Sequence, residues 1–355
     1  MAKGLAIVLV VLGHCLDSST PLRAFVYSFH MPLFFVLAGF TMRPKPRKDV
    51  LASSFRRLLV PYFGVCAILL FFAFVPPASI SPALDTQRSV SDVLAEIAFG
   101  SGQEGEFLGY SYQAIGALWF LPCLFVARLI LNEVLLIGRA VAQRVQGHSN
   151  VAGYAAESLL VAAVVVAGFA CGQQVRLPFD IDTACIAVGY MHIGYLAKKV
   201  DLARVPKLAF VGLAAIWLLY PLAGNNEMAV RAYLEYPWSL ATSLAGSLVV
   251  MRACMPLEHI PLLSQGLAWC GVNSLVILCV HRVESAVFNW QKIMEFFRPD
   301  VWWWDLTAQG LYQFGLRIVL VLALTALVLA MARGLRLAYG RMSGRVRGKE
   351  PVRAD

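Results

Sequence analysis

The sequence is poor in charged residues, and this shortage excludes an ordinary soluble enzyme. Only 14% of its 355 residues are charged, whereas 59% are hydrophobic and the mean hydropathy is +0.69. A soluble domain is nearer to half apolar and carries about a quarter charged residues. The composition therefore indicates an integral membrane protein with many spans.

The chain also lacks paired cysteines, internal repeats and a second soluble domain. Its eight cysteines lie in or beside apolar runs, and none forms a Cys-x-x-Cys pair. This placement is typical of small buried side chains rather than of a disulfide framework or a metal site, so we predict no metal. The net charge of +9 does not indicate nucleic-acid binding, because the basic residues lie in short segments between apolar runs and in the tail.

Apolar segments of spanning length dominate the chain. A bilayer core about 30 Å thick needs roughly 20 apolar residues per helix. With that measure, the predicted spans are 3–16, 24–42, 58–76, 114–132, 151–171, 181–197, 207–223, 237–254, 268–288 and 309–332. The sequence thus predicts an all-α membrane protein of about ten helices, with one multispanning domain at 1–335 and a basic tail at 336–355.

The basic residues predict the orientation. If the N-terminus is inside, the inner segments hold roughly three times as many lysines and arginines as the outer segments, as the positive-inside rule expects. We therefore expect both termini to face the cytoplasm, with the basic tail as a cytoplasmic segment. The longest outer segment, 77–113, contains apolar residues at helical spacing between 90 and 99, which suits a short helix on the membrane surface. A solvated loop is the alternative, and 100–109 could form a mobile flap.

Two histidines predict the chemical centre, since an ionisable side chain at membrane depth is costly and by default functional. His14 lies near the outer end of the first span, and Lys3 lies eleven residues earlier, or about three helical turns, on the same stripe. His30 begins the second span, where Pro32 is tolerated in the first turn. The alternatives are that Lys3 is a topology anchor and that both histidines are interfacial residues.

These segments, GLAIVLVVLGH and FHMPLFFVLAGF, resemble the acyltransferase-3 family of multispanning membrane proteins. Further segments with this resemblance are Arg56–Tyr62, Leu118–Pro122 and Gly271–Ile277 with the following His281. The resemblance covers essentially the whole chain and is closest to the branch of fucose O-acetylase-like and exopolysaccharide acetyltransferases. It implies transfer of an acyl group, usually acetyl from acetyl-CoA, to sugar hydroxyls of bacterial cell-surface and exported glycans.

The resemblance also implies roles for particular residues. The family's essential first-span histidine matches His14, and its basic residue eleven positions earlier matches Lys3. The family usually has arginine there, and only arginine can bind phosphate bidentately. Ala38 stands where the family often has serine, so we assign no serine nucleophile.

The expected chemistry needs a base and groups that stabilise negative charge. A histidine suits proton removal from a hydroxyl near neutral pH, typically worth about 10²–10⁴-fold. We predict His14 as this base, assisted by His30. Donors to the oxyanion could be His30, Trp119 and Asn273, and an acyl-histidine intermediate is an alternative route.

Two further groups complete the predicted site. Arg56 and Arg57, beside the third span, are predicted to bind the CoA phosphates together with Lys3. Their alternative is a pure topology signal. His281 ends the ninth span in the sequence His281-Arg282-Glu284, which could line the acceptor site or form a local ion-pair network.

The sequence as a whole predicts an O-acetyltransferase of the bacterial inner membrane with no permanently bound cofactor. Its expected partners are acetyl-CoA, the lipid bilayer, a polysaccharide or polyprenyl-linked sugar, and a polysaccharide-biosynthesis complex, with no nucleic acid. Two alternatives stay open. One is a transporter or flippase for a glycan or lipid precursor, and the other is a non-catalytic subunit of an export complex.

Overall fold

The computed structural model describes residues 1–74, 89–107, 109–145, 150–200, 204–224, 227–297 and 305–347, and these are mostly helical. In chain order the helices are α1 (Ala2–Gly13), α2 (Pro21–Tyr27), α3 (His30–Phe40), α4 (Arg47–Ser54), α5 (Val60–Phe74), α6 (Val90–Phe99), α7 (Phe120–Arg144), α8 (Asn150–Gln174), α9 (Ile181–Ala197), α10 (Lys207–Leu218), α11 (Tyr220–Ala223), α12 (Ser239–Ala253), α13 (Pro261–Val272), α14 (Ser274–Val287), α15 (Trp290–Phe296) and α16 (Leu306–Arg347).

Six helical stretches are long and apolar enough to cross a membrane, and the bent pair α13–α14 makes up to seven. Every predicted span overlaps at least one helix, but α1 and the Lys207–Leu222 helix are shorter apolar helices, and α9 has 17 residues. The multispanning helical architecture is confirmed. The number of ten spans and the cytoplasmic position of both termini stay predictions.

The helix expected at 90–99 is present as α6, Val90–Phe99, and its position on the membrane surface stays a prediction. The Ser89 side chain caps its start by accepting a hydrogen bond from the Asp92 N–H, and Gly100 ends it in the left-handed region with φ 60°. The helix is tied to the bundle because the Tyr62 hydroxyl donates to the Ile97 carbonyl at 2.7 Å.

A short β-hairpin departs from the all-α prediction. Strands β1 (Gly105–Phe107) and β2 (Tyr110–Tyr112) pair antiparallel, with Glu106 opposite Ser111. The ring of Tyr112 stacks on Phe99 with centroids 3.7 Å apart. This packing holds the hairpin against α6, in the segment for which a loop or flap was the expectation.

The core lies where α1, α3, α7 and α9 meet. Its fully buried side chains include Ile7, Leu33, Phe35, Leu121 and Met191. Two pairs of buried hydroxyls bond each other inside the bundle: Tyr190 with Ser243 at 2.7 Å, and Thr183 with Tyr233 at 3.0 Å. Such pairing is needed because an apolar surrounding offers buried polar groups no water.

The last helix extends beyond its predicted span. Helix α16 runs from Leu306 to Arg347, so it continues through the first part of the segment expected to be a basic tail. The remainder of that segment, 348–355, lies outside the described residues.

Candidate active site

A cavity of about 610 Å³ lies inside the bundle and collects most of the predicted site. Six of the eight predicted residues line it, namely Lys3, His14, His30, Arg56, Arg57 and Trp119. The other two, Asn273 and His281, are not on its wall. The cavity therefore brings together residues from the first, second and fourth predicted spans with the two arginines that precede the third.

The cavity has two chemically different ends. Lys3 and His14 both line it from α1, and eleven residues of helix separate them by about 16 Å. We call Lys3, Arg56, Arg57 and Arg128 the basic end, and His14, Tyr27, His30 and Glu227 the histidine end.

At the basic end, a change in helix geometry places two arginines. Phe55–Leu59 forms a π-helical turn between α4 and α5, and it carries Arg56 and Arg57. Such turns are rare and frequently occur at functional sites. Arg128 of α7 joins them, and its Nε donates to the Ser54 hydroxyl at 3.2 Å. Within the described ranges no carboxylate pairs with any of the four basic residues of this end, so their charge is available to an anion.

At the histidine end, His14 follows the last residue of α1 and its side chain is exposed to the cavity. The ring of Tyr27 packs directly over Gly13, where a Cβ would lie 2.8 Å from it. This contact fixes the end of α1 against α2 and thereby the position of His14.

His30 begins α3 and is only 4% exposed. Its Nδ1 lies 2.9 Å from the Val26 carbonyl oxygen. Because a carbonyl can only accept, Nδ1 carries the proton, and Nε2 of a neutral His30 presents a lone pair. The Tyr27 ring meets the His30 ring edge-on at 4.7 Å between centroids.

Trp119 ends a 3₁₀ turn that runs from Gly116 to Trp119 and leads into α7. It is 4% exposed and lines the cavity. No acceptor in the described part of the chain bonds its indole N–H. The donor is therefore open to a bound molecule.

The two predicted residues off the wall have different surroundings. Asn273 lies at the 74° bend between α13 and α14, and its side-chain amide donates to the Trp269 carbonyl at 2.9 Å. His281 of α14 lies behind His14, with ring centroids 5.2 Å apart. Its Nδ1 is 2.7 Å from Glu284 Oε1, and Glu284 also pairs with Arg317 at 2.7 Å, so the structure contains the ion-pair network that was one of the two expectations for this segment.

Comparison with known proteins gives the family. A family model described as an acyltransferase domain, Acyl_transf_3, matches residues 1–332. The chain belongs to the acyltransferase-3 family. It is also similar to the nodulation protein NolL of Mesorhizobium japonicum (strain LMG 29417 / CECT 9101 / MAFF 303099), with 21% identity over 380 residues that cover 99% of this chain and 89% of that protein. No solved structure gives a significant match.

The predicted family is thereby confirmed, and the chain is a multi-pass membrane acyltransferase. Sequence reasoning missed some residues of its site. Sequence reasoning assigned no role to Arg128 or Arg317, although both lie within predicted spans and a cation at membrane depth is itself a signal of function. Arg317 of α16 binds Glu284 at 2.7 Å.

In this acyltransferase, hydrogen bonds also join two segments beside the cavity, and no sequence pattern predicted this contact. Asp180, before α9, accepts from the Ser101 hydroxyl at 2.8 Å and the Gly102 N–H at 2.9 Å. Arg176 donates to the same hydroxyl at 3.0 Å. These bonds hold Gly102 beside the Trp119 ring, where a Cβ would lie 2.9 Å from it. Burial raises the pKa of Asp180 to about 6, while its hydrogen bonds act in the opposite direction.

Proposed function

We propose that this acyltransferase moves acetyl from acetyl-CoA to a sugar hydroxyl of a cell-surface or exported polysaccharide, or of its lipid-linked precursor, in the bacterial cytoplasmic membrane. One observation carries the proposal. A single cavity holds four basic side chains without acidic partners among the described residues at one end, and two histidines at the other.

The basic end suits the donor, because CoA carries phosphates and the cavity offers cations to them. Arg56 and Arg57 would bind these phosphates, with Lys3 as a third positive charge. The pantetheine arm is a long, narrow chain. Threaded along α1, it would bring the thioester towards His14, about 16 Å from Lys3.

The histidine end suits the chemistry. His14 would take the proton of the acceptor hydroxyl as its oxygen attacks the thioester carbonyl carbon. A C–O bond forms, the C–S bond breaks, and the leaving thiolate receives the proton that His14 took. The products are the acetyl ester and CoA, with no net change in protons. Attack by a histidine nitrogen, forming an acyl-histidine first, is the other route.

The hydrogen bonding of Trp119, His30 and Asn273 indicates which of them can assist the base, and how. The open indole N–H of Trp119 is suited to donate to the oxyanion that forms at the carbonyl. The N–H of neutral His30 is bonded to the Val26 carbonyl, so its Nε2 is suited to accept from a neighbouring hydroxyl of the acceptor sugar and to hold the attacking hydroxyl towards His14. Asn273 is a weaker candidate for the oxyanion, because its amide is bonded to Trp269 away from the cavity wall.

The acceptor would approach at Tyr27 and Glu227. Both line the histidine end, and Arg23 holds Glu227 Oε1 at 3.1 Å. A carboxylate accepts hydrogen bonds from sugar hydroxyls and repels phosphate. The two substrates of opposite character would therefore enter opposite ends of one cavity.

The test measures O-acetyl content of the host's surface polysaccharide by proton NMR. It compares a gene deletion, restored wild type, and His14→Ala at equal membrane abundance, with His259→Ala, outside the cavity, as the matched control. We expect acetyl signal with wild type and His259→Ala only. If His14→Ala restores acetylation, His14 is not the base. If deletion lowers total polysaccharide with acetylation per sugar unchanged, a transport or assembly role replaces this proposal.

A further inference from the structure

We propose that His281, Glu284 and Arg317 form a positioning group that orients the His14 ring for catalysis. The inference rests on the proposed function, in which His14 is the base. None of the three residues lines the cavity, so their effect on the reaction would pass through His14.

The carboxylate at the centre of this group is held by four hydrogen bonds. Glu284 Oε1 accepts from His281 Nδ1 at 2.7 Å and from Arg317 Nη2 and Nε at 2.7 and 3.2 Å. Its Oε2 accepts from Trp290 Nε1 at 2.6 Å. Glu284 and His281 are each 1% exposed. A carboxylate with this many donors is ionised and has no freedom to rotate.

The fixed carboxylate determines the tautomer of a neutral His281. Ionised Glu284 can only accept, so Nδ1 of His281 carries a proton and Nε2 of the neutral ring has a lone pair. The His281 ring contacts the His14 ring at 5.2 Å between centroids, tilted by 46°. The two rings are close enough for Nε2 of His281 to accept the N–H of His14 once the rings align, which would leave the other His14 nitrogen as the base. The logic is that of a carboxylate that orients a catalytic histidine, with one more imidazole between them.

Arg317 adds a second link to the same histidine. Its Nη1 lies 3.4 Å from the His14 carbonyl oxygen, while its Nη2 binds Glu284. Carbonyls at the end of a helix have no partner within the helix, and a basic side chain satisfies them. One guanidinium therefore joins the end of α1 to α14 and α16, and it fixes both the backbone and the ring contact of His14.

A purely structural ion pair is the competing explanation, because removing one partner of a buried pair is strongly destabilising in itself. The test therefore uses Glu284→Gln together with the charge-balanced double variant Glu284→Gln/Arg317→Gln. Both are reconstituted in liposomes, and transfer from acetyl-CoA to a sugar acceptor is measured. Membrane abundance and thermal stability are recorded for each protein.

If the group positions His14, we expect the double variant to fold at wild-type abundance with kcat reduced about 10²-fold and KM for acetyl-CoA unchanged. Glu284→Asp, which keeps the carboxylate, should recover part of kcat. In a His14→Ala background, Glu284→Gln should cause no further loss of kcat, because both changes remove the same function. Glu295→Gln, an exposed glutamate on α15, is the control and should behave as wild type.

Two outcomes would overturn the inference: wild-type kcat in the double variant, or losses from Glu284→Gln and His14→Ala that multiply. Failure of the proposed function gives a different result. In that case wild type itself transfers no acetyl, or His14→Ala is fully active.

Discussion

Gly39 of α3 lies directly against the backbone carbonyl of Met191 in α9, so a Cβ at position 39 would overlap that oxygen. The contact is reciprocal, since a Cβ on Gly194 of α9 would overlap the carbonyl of Val36. Small residues let helix backbones approach closely in a membrane. This contact fixes α3, and with it His30, against the core.

The glycine contact predicts a stability change. Gly39→Ala would push α3 away from α9, because the neighbouring atom is backbone and cannot move aside. We expect a loss of about 1–3 kcal/mol, measured as a lower midpoint of thermal unfolding in detergent. Gly64→Ala on α5 is the matched control, since no atom of the described residues lies within 4 Å of a Cβ there. Equal midpoints for Gly39→Ala and wild type would contradict the close packing.

His30 allows a test that separates its two ring nitrogens. An asparagine amide N–H can replace Nδ1 and keep the bond to Val26, but it has no group at the position of Nε2. We therefore expect His30→Asn to fold and to lose about 10²-fold in kcat. His30→Gln can supply an acceptor oxygen near Nε2 and should be more active but less heat-stable. If His30→Asn is fully active, Nε2 has no catalytic role.

Much of the fold was predictable, because the requirement for a membrane-spanning helix can be recognised within one short segment of sequence. Twenty apolar residues form a helix across the bilayer wherever they occur, and α6 was predicted from the spacing of its apolar residues. The hairpin at Gly105–Tyr112 was not predicted, because its strands have three residues each. Its position depends on the Phe99–Tyr112 stacking, which is a tertiary contact.

Part of the site was predictable, because a single polar residue within an apolar span is energetically costly and therefore indicates a function. Lys3, His14 and His30 stand out because charge and imidazole are expensive among apolar side chains. Pairing across the chain was not predictable. Nothing in the sequence indicates that Arg317 contacts Glu284 or that His281 contacts His14, because helix packing, and not spacing, brings α1, α14 and α16 together.

The arginines of the basic end predict that binding of the donor depends on its phosphates. Arg56→Gln and Arg57→Gln should each raise KM for acetyl-CoA about tenfold, since a charge-assisted hydrogen bond contributes about 1.5–3 kcal/mol. The ratio of kcat/KM for acetyl-CoA to that for acetyl-dephospho-CoA should fall in a variant that loses the contact to the 3′-phosphate. Arg47→Gln is the control, because Arg47 pairs with Glu133 at 2.8 Å and does not line the cavity. An unchanged KM in both variants would assign these arginines to topology alone.

Asp180 predicts a pH dependence of stability. Its pKa is raised by burial from 3.8 to about 6, so the folded protein binds this proton more tightly than the unfolded protein. The group therefore stabilises the fold most below pH 4, and that contribution is lost as pH rises to 6. The thermal midpoint of Asp180→Asn, relative to wild type, should increase between pH 4 and 6 and be constant above. Asp17→Asn should show no such slope, since Asp17 is exposed and hydrogen bonds from Ser19 lower its pKa.

Glu227 predicts how the acceptor is bound. Burial raises the pKa of Glu227, while Arg23 acts in the opposite direction and holds one carboxylate oxygen at 3.1 Å. If the other oxygen accepts from a sugar hydroxyl, Glu227→Gln should raise KM for the sugar about tenfold and leave KM for acetyl-CoA unchanged. Slow hydrolysis of acetyl-CoA without acceptor should also be unchanged. Glu235→Gln, exposed on the same connecting segment, is the matched control. If Glu227→Gln instead raises KM for acetyl-CoA, the donor occupies the histidine end and the two substrates share one entrance.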